Sequence, residues 1–445
     1  VYGRRRIGKT FLLRQTLGDS LCFSFAGMAN VTNVQQLLNF NLTLRQYMPE
    51  AKMSTNWQEA FMELQRYVES CKQKIKVLFF DELPWMDTPK SNFISAFEHF
   101  WNAWASARSD IKLFVCGSAA SWMLDNVINN HGGLHNRVTH EIYLKPFTIG
   151  QCKEYFDTCH FGYNNREISE FYMVFGGIPY YMTLMDKELS VVQNIDRLIF
   201  SSQGELRNEK ENLFRSLFRH SADYVAIIDA ISKKGKGLTR TEILEETKLN
   251  NNALFGKRLE ELEKCNFIRK YKDYSGRQRQ TVFQLIDPLC HFWNAVVSKN
   301  ETKDECFWTH TQLSPLFNTW CGFAFEMLCL NHVQQLKQIL GISGIQTNVY
   351  SWRTTGQETP GAQIDLLIDR ADRCVNLCEM KFSRGEYEIT KTEREKIENR
   401  ATRFMQYAEP RKSIRLTMIT SFGLKPNTHS SIIQSQITLN DLYHA

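Results

Sequence analysis

The chain has 445 residues, of which 43% are hydrophobic and 23% are charged, and its formal net charge is +6. A chain of this length exceeds what one hydrophobic core supports, so we expect two to four domains. The composition is that of globular proteins, and no apolar run approaches the roughly 18 residues that a membrane span needs. These values exclude a transmembrane helix and predict a soluble protein with no membrane partner.

The cysteines and the first residue give the next expectations. The twelve cysteines include no CxxC pair, which argues against zinc ribbons and indicates reduced, mostly buried thiols. Such thiols are typical of a cytoplasmic protein. Val1 is neither an initiator methionine nor the start of a signal peptide, so we expect the true N-terminus to precede it. The mildly basic charge permits an anionic partner without requiring one.

The first motif is "VYGRRRIGKTFLLRQ", in which Gly3, Gly8, Lys9 and Thr10 fit the pattern GxxxxGK[ST]. In this pattern, backbone N–H groups surround phosphates at a helix N-terminus. The lysine reaches the β and γ phosphates, and the hydroxyl ligates magnesium. The alternative interpretation is a basic turn before a helix.

The run "KIKVLFFDELPWMD" decides between these interpretations. It is apolar from Ile75 to Phe80 and ends in Asp81 and Glu82, which predicts a buried parallel strand with both carboxylates at its C-terminal edge. Asp81 would hold magnesium through water, and Glu82 would polarise the attacking water. An acid after an apolar run is more often a simple strand end, but the upstream phosphate loop favours the functional interpretation.

Two further positions are candidates for the same site. The run "IKLFVCGSAASWM" ends in Gly117 and Ser118, and the Ser118 hydroxyl could either sense the γ-phosphate or begin a helix. Arg137 lies in the glycine-rich loop "HGGLHNRVTHEIYLKPF". Its position suits an arginine that reaches the nucleotide of a neighbouring subunit in a homo-oligomer, although a surface salt bridge would look identical. The histidines of this loop lack Cys or acidic companions at the spacing of metal ligands and are interpreted as ordinary loop residues.

These motifs, together with "GGIPYYM" further along, occur in an order that resembles the P-loop ATPases of the AAA+ and STAND type, often called archaeal-type ATPases. The resemblance covers essentially the whole chain. It implies an ATPase core with a parallel α/β sheet over residues 1–150, and ATP and Mg²⁺ as ligands. It also implies that Gly177 and Pro179 form a GxP element that contacts adenine. The family's strand that feeds the phosphate loop is expected to precede Val1.

The middle of the chain predicts two smaller domains. Residues 151–220 show the apolar spacing of helices, as in "ISEFYMVFGGIPYYMTLM", and would form a helical lid over the nucleotide. Residues 221–298 contain three amphipathic segments and then "IRKYKDYSGRQRQTVFQLID", a hairpin that turns at Ser275 and Gly276. Three helices and a hairpin are the plan of a winged helix.

Basic residues in this winged-helix segment predict DNA as a partner. The candidates are Lys257 and Arg258 on the third helix and Arg277 and Arg279 on the wing, where they would contact phosphates. The acids Glu260, Glu261 and Glu263 follow on the same helix and would repel a DNA backbone. The alternative is an intramolecular contact or a regulatory protein partner.

Residues 299–445 carry a second candidate site. Asp365 lies in the strand-like run "AQIDLLIDR", and Glu379 and Lys381 lie two apart in "CVNLCEMKFS", which places both of the latter on one face of a strand. A charged helix from Glu386 and the strand-like run "SIRLTMITSF" follow. Carboxylates that hold magnesium beside a lysine that steadies the attacking hydroxide suit phosphodiester hydrolysis.

This pattern resembles the PD-(D/E)xK nuclease superfamily, and the resemblance implies a restriction-endonuclease-like α/β domain. It implies that Asp365 and Glu379 are metal ligands, that Lys381 is catalytic, and that Glu326, in "WCGFAFEMLCL", is an added acidic ligand. The sequence as a whole predicts a multidomain α/β P-loop ATPase that couples ATP hydrolysis to a winged helix and a nuclease-like domain. The alternative is a nucleotide-dependent switch, or a nucleic-acid-binding module with an inactive nuclease-like domain.

Overall fold

The computed structural model describes residues 1–129, 132–218, 220–235, 237–272, 274, 281–354, 362–408 and 412–445. The predicted wing residues Arg277 and Arg279 and the turn at Ser275 and Gly276 lie outside the described residues. The chain divides into two compact units, Val1–Lys145 and Pro146–Ala445. None of the helices in the described ranges has the length and the hydropathy needed to cross a membrane.

The first unit is built on a three-stranded parallel sheet in the order β1-β2-β3. All six residues of the central strand β2 are buried, as a parallel strand covered on both faces requires. Its Phe80 packs edge-on against Phe97 and at a tilt against Phe23, with ring centroids 6.0 Å apart in each pair. The elements of this unit are α1 (Lys9–Leu17), β1 (Leu21–Ala26), α2 (Asn33–Tyr47), α3 (Trp57–Ser70), β2 (Lys76–Asp81), α4 (Leu83–Met86), α5 (Phe93–Ala103), β3 (Ile111–Val115) and α6 (Ala120–Met123).

The sheet topology brings three chain segments to one edge. Because the strands are parallel, the carboxyl ends of β1, β2 and β3 meet there. Tyr2 forms parallel bridges with Gly117 and Tyr143, and the Val1 amino group donates to the Val115 carbonyl at 2.7 Å. The first residues therefore lie beside the end of β3, and the phosphate loop starts at this edge. The predicted mixed α/β fold with a parallel sheet is confirmed.

The second unit contains a helical part and two sheets. Its first elements are α7 (Ile149–Thr158), α8 (Asn165–Phe175), α9 (Pro179–Thr183), α10 (Val191–Ile195), α11 (Glu209–Leu217), α12 (Ser221–Ser232), β4 (Leu238–Thr239), α13 (Arg240–Thr247), α14 (Ala253–Lys264), β5 (Ile268–Lys272), β6 (Thr281–Leu285) and α15 (Pro288–Ala295). Strands β5 and β6 form an antiparallel pair, and the short β4 adds to β6 to give the order β4-β6-β5. Helices α12, α13 and α14 and the small antiparallel sheet thus lie within residues 221–298, where the sequence predicts three helices and a hairpin, and a fourth helix, α15, follows them.

The remaining elements form the C-terminal part of the same unit. They are α16 (Phe307–Thr311), α17 (Pro315–Asn331), α18 (Val333–Ile339), β7 (Thr347–Thr354), β8 (Ala362–Arg370), β9 (Cys374–Lys381), α19 (Lys391–Ala408), β10 (Ser413–Thr420), β11 (Ser435–Thr438) and α20 (Leu439–Tyr443). The sheet has the order β11-β10-β9-β8-β7, with β7, β8 and β9 antiparallel and β9, β10 and β11 parallel.

Helix α19 begins at Lys391, five residues after the start that the sequence predicts. The Thr390 hydroxyl accepts a hydrogen bond from the Glu393 amide at 3.3 Å, and the Glu393 carboxylate accepts one from the Thr390 amide at 3.4 Å. This reciprocal pair is a capping box, which fixes where a helix starts. The preceding Tyr387 instead forms a parallel bridge with Leu424.

The three segments predicted as separate domains after residue 150 pack closely against one another. The ring of Tyr274, from the predicted wing, lies 5.0 Å from that of Phe404, and its amide donates to the Ser351 carbonyl at 3.1 Å. Near the start of α7, the Ile149 amide donates to Nε2 of His332 at 2.9 Å. Burial lowers the pKa of His332 to about 4, so the neutral ring can accept this bond at neutral pH.

Candidate functional site

Two glycines shape the phosphate loop. Gly8 has φ of 87° and lies directly before α1, in the left-handed region that glycine adopts most easily. A Cβ at Gly3 would approach the Leu144 carbonyl oxygen to 2.4 Å, so only glycine fits there. The loop therefore ends at the N-terminus of α1, where free backbone N–H groups and the helix dipole favour an anion.

Lys9 connects the loop to the sheet. The side chain is buried, and its Nζ donates to the Gly3 carbonyl at 2.9 Å, the Arg4 carbonyl at 2.9 Å and Ser118 Oγ at 3.0 Å. A buried ammonium group needs such oxygen partners, because desolvation of an unpaired charge is very unfavourable. The positive charge of Lys9 is therefore held at the edge where β3 ends.

Thr10 and Asp81 form a direct pair. The Thr10 hydroxyl donates to Oδ2 of Asp81 at 2.7 Å, and Asp81 is only 6% exposed. A hydroxyl and a carboxylate are hard oxygen ligands of the kind that Mg²⁺ prefers when water and substrate phosphates complete its shell. The two residues predicted to hold magnesium are thus adjacent, and their chemistry fits this ion.

Glu82 and Ser118 form the third contact of the site. Ser118 Oγ donates to Glu82 Oε1 at 2.5 Å, and the Ser118 amide donates to Oε2 at 3.1 Å. Helix α6 starts at Ala120, and its preceding residue Ala119 makes no side-chain cap. The geometry therefore favours the interpretation of Ser118 as a site residue over that of a helix cap. Its hydroxyl links the charges of Lys9 and Glu82.

The structure does not bring every predicted residue into this network. Arg137 is exposed in a turn, where its amide donates to the Leu134 carbonyl at 3.0 Å. The salt-bridge alternative for its side chain stays open. A role toward a neighbouring subunit stays a prediction.

Gly177 and Pro179 belong to the second unit and have evident packing roles there. The Gly177 carbonyl accepts from the Phe147 amide at 2.7 Å, and a Cβ at Gly177 would lie 1.8 Å from the Phe147 oxygen. Pro179 is at the start of α9, where its missing N–H is not needed. Contact with adenine stays a prediction for this GxP element.

The C-terminal acids lie on adjacent strands. Leu366 of β8 pairs with Cys378 of β9, which places Asp365 and Glu379 next to this pair. Lys381 Nζ lies 2.8 Å from Glu379 Oε1, and Arg400 of α19 pairs with the other oxygen. Burial raises the pKa of Glu379, but the cations of Lys381 and Arg400 outweigh it and hold the pKa below its usual value.

Arg400 is the residue of this cluster that the sequence reasoning missed. Burial lowers its pKa, whereas the carboxylates of Glu379, Asp365 and Glu326 raise it, with a net rise. The predicted acids therefore surround one arginine. Helical spacing could have indicated that Arg400 faces the interior. It lies three residues after Ile397 and four before Phe404, so it shares a helix face with these two buried residues.

The cluster does not fit a metal site in this arrangement. Among the described residues, no group of three or more His, Cys, Asp or Glu side chains could hold a metal ion. Two cations already neutralise Glu379, and Mg²⁺ requires carboxylates that remain available. The observed contacts fit internal charge pairing.

The basic residues of the winged-helix segment divide into exposed and internal ones. Lys257 is exposed on α14, as predicted for a phosphate contact. Arg258 is only 8% exposed and pairs with Asp223. The expectation that Arg258 faces DNA therefore needs correction, because its charge is engaged inside the fold.

Two of the three acids of α14 are also engaged, whereas Glu260 is exposed. Glu261 accepts a hydrogen bond from the Tyr224 hydroxyl, and Glu263 lies 2.9 Å from Lys270 Nζ. A carboxylate that pairs with a cation, as Glu263 does, repels a polyanion less than a free carboxylate. The acidic half of this helix is thus a weaker obstacle to a phosphate backbone than its sequence indicates.

Comparison with known proteins bears on the segment that carries the phosphate loop. Residues 1–185 match the family model of an ATPase domain found predominantly in Archaea. An uncharacterized protein of Methanocaldococcus jannaschii is 22% identical over 386 residues, which cover 86% of this chain and 82% of that protein. The family match supports a P-loop ATPase domain with an ATP-hydrolysing function.

Two solved structures are similar to this chain at low sequence identity and low TM-score. A Walker-type ATPase of Pyrococcus abyssi is 21% identical with a TM-score of 0.45, and covers 65% of this chain and 88% of its own. Cdc6p from Pyrobaculum aerophilum is 14% identical with a TM-score of 0.30, and covers 67% of this chain and 87% of its own. At these TM-scores the fold is better defined by the chain's own topology.

Proposed function

We propose that this protein hydrolyses ATP with Mg²⁺ at the site formed by Lys9, Thr10, Asp81, Glu82 and Ser118. The observation that carries the proposal is the continuous set of contacts from Lys9 through Ser118 to Glu82, beside the Thr10–Asp81 pair. A basic turn before a helix would not need a buried lysine between two strand ends. The family match over residues 1–185 supports the same chemistry.

Each side chain has a defined task in this proposal. Lys9 exchanges its carbonyl partners for phosphate oxygens, and the N-terminus of α1 adds backbone donors. Glu82 accepts a proton from the attacking water or orients it, and Ser118 positions Glu82 beside Lys9. A bound magnesium ion, held through Thr10 and Asp81, supplies charge neutralisation for the phosphates.

Glu82→Gln is expected to keep ATP binding and to lower ATP turnover by about 10²- to 10⁴-fold, because an amide cannot act as a base toward water. The measurement is phosphate release under saturating ATP, together with the affinity for a fluorescent ATP analogue. Glu50→Gln is the control, since Glu50 is an exposed acid of the same unit. Turnover equal to that of the unchanged protein would contradict the assignment of Glu82.

We further propose that the ATP state controls nucleic-acid binding by the second unit. Support comes from the exposed Lys257, the ion pair of Glu263 with Lys270, and the helices α12 to α14 with their small antiparallel sheet. The competing function is a switch in which ATP binding alone produces the biological output and ATP hydrolysis is incidental. If ATP-loaded Glu82→Gln shows the full biological output, the switch is favoured over coupling to hydrolysis.

For the C-terminal part, the charge pairing of Glu379 favours nucleic-acid binding without cleavage. Three cations, Lys381, Arg400 and Arg269, lie near three carboxylates, and such a balanced cluster has little remaining attraction for a divalent ion. The order of α17, then β7 to β9, then α19 and β10 supports the proposal of a nuclease-like domain here.

The ATP-loaded Glu82→Gln protein is expected to bind a fluorescent DNA duplex with an affinity at least about fivefold different from that of the ATP-free protein. Affinity should fall steeply with added salt and weaken in Lys257→Ala. Equal affinity in both nucleotide states would reject the coupling of ATP to DNA binding but leave the ATPase proposal intact.

Supercoiled DNA should stay uncut by the protein in Mg²⁺ or Mn²⁺. Cutting that is lost in Asp365→Ala would reject the assignment of the C-terminal part as non-cleaving.

A further inference from the structure

Two cysteine side chains of the first unit face each other. Cys22 lies in β1 and is only 1% exposed, whereas Cys71 follows the end of α3 and is partly exposed. Their sulfur atoms are 2.9 Å apart, with both thiols free. The two residues are 49 positions apart in the chain, so the fold alone brings them together.

Tyr67 fixes the geometry of this pair from both sides. Its hydroxyl donates to the Cys22 carbonyl at 2.9 Å, and its own carbonyl accepts from the Cys71 thiol at 3.4 Å. The tyrosine lies in α3, so one side chain connects the end of this helix to β1. The two sulfur atoms, 2.9 Å apart, need to approach by only about 0.9 Å to reach the length of a disulfide bond.

We propose that Cys22 and Cys71 are a redox modification site, at which a peroxide or a low-molecular-weight disulfide oxidises the two thiols to a reversible disulfide. With hydrogen peroxide, the Cys71 sulfur attacks one peroxide oxygen, the O–O bond breaks, and a sulfenic acid and one water form. The Cys22 sulfur then attacks the Cys71 sulfur and releases the second water. Two thiols and one peroxide thus give one disulfide and two waters.

The order of these steps follows from the environments. Burial, followed by the contact with Cys71, raises the pKa of the Cys22 thiol to about 12, which leaves it a poor first nucleophile. Cys71 has access to solvent and meets the oxidant first. Contact with the Cys71 sulfur then allows Cys22 to resolve the sulfenic acid, because proximity replaces intrinsic reactivity.

The disulfide would join the start of β1 to the end of α3. Closing a loop of this length restricts the unfolded chain, and a rise in the unfolding temperature of roughly 10 °C is expected for a unit of this size. The pair lies at the amino-terminal end of β1, whereas Lys9 and Glu82 lie at the opposite edge of the sheet. Oxidation should therefore leave ATP turnover intact.

The test is made on the full chain, fully reduced and then treated with hydrogen peroxide or glutathione disulfide. The expected product has lost about 2 Da, and proteolytic mapping links the Cys22 peptide to the Cys71 peptide. Dithiothreitol should restore the mass and remove the thermal shift. This mapping requires no substitution, so a variant that fails to fold cannot hide the result.

Variants sharpen the assignment. Cys71→Ser and Cys22→Ser should each abolish the linked peptide and the rise in unfolding temperature, whereas Cys159→Ser, which removes an exposed thiol of the second unit, should leave both unchanged. Absence of the linked peptide in the unsubstituted protein would overturn the proposal. An equal rise in unfolding temperature on oxidation of Cys71→Ser would overturn it as well.

Discussion

Lys9→Ala is expected to lower ATP turnover by about 10²- to 10³-fold, the effect of removing one preorganised donor to a developing negative charge. The Lys9 ammonium is held by the Gly3 and Arg4 carbonyls and by Ser118 Oγ, so its charge is already positioned before ATP arrives. Both the affinity for ATP and the rate should fall, because the ammonium contacts phosphate in the ground state and in the transition state.

The control is Arg14→Ala, which removes an exposed basic side chain from the same helix. It should retain turnover within about twofold, since surface substitutions away from a site have small effects. Unfolding curves are measured in parallel, because removal of Lys9 leaves buried carbonyls without a donor and costs about 1–3 kcal/mol. Turnover of Lys9→Ala equal to that of Arg14→Ala, in a folded protein, would reject the ATPase proposal.

The approach of the phosphate loop to the end of β2 could be predicted from the sequence because its information is local. The spacing of the glycines predicts a phosphate loop before a helix, and the apolar run that ends in two acids predicts a buried strand. Each pattern also predicts where on its element the functional side chain lies. Ser118 shows where this stops. The sequence left two interpretations, and only the neighbouring ends of β2 and β3 bring its hydroxyl between Lys9 and Glu82.

Side-chain direction explains the failures elsewhere. Arg258 was predicted from its charge to face DNA, but its position in α14 turns it toward Asp223 inside the fold. Arg400 was not predicted, because its partners Glu379, Asp365 and Glu326 come from three other elements. The packing of Tyr274 on Phe404 was not predicted either, because the two residues also come from different elements. Periodicity shows which face of an element is apolar, but it does not show which charged residue meets another across the core.

Gly177→Ala is expected to destabilise the second unit by about 3 kcal/mol, through overpacking and the loss of one backbone hydrogen bond. The new Cβ would lie 1.8 Å from the Phe147 oxygen, far inside contact distance, and the Phe147 amide donates to the Gly177 carbonyl at 2.7 Å. The atoms that the new Cβ would meet belong to the backbone of Phe147. Removal of the clash therefore requires the chain before α7 to move. The measurement is the urea midpoint followed by circular dichroism.

Gly344→Ala provides the matched control, because no atom lies within 4 Å of its added Cβ, and it should shift stability by no more than about 0.5 kcal/mol. ATP affinity, measured on the folded fraction, separates two roles of Gly177. A glycine that serves adenine contact alone would lose affinity at an unchanged midpoint, which would contradict the packing role. A lower midpoint with retained affinity would assign Gly177 to the backbone contact with Phe147, and the GxP element would then act in this chain by holding α8, α9 and the start of α7 together.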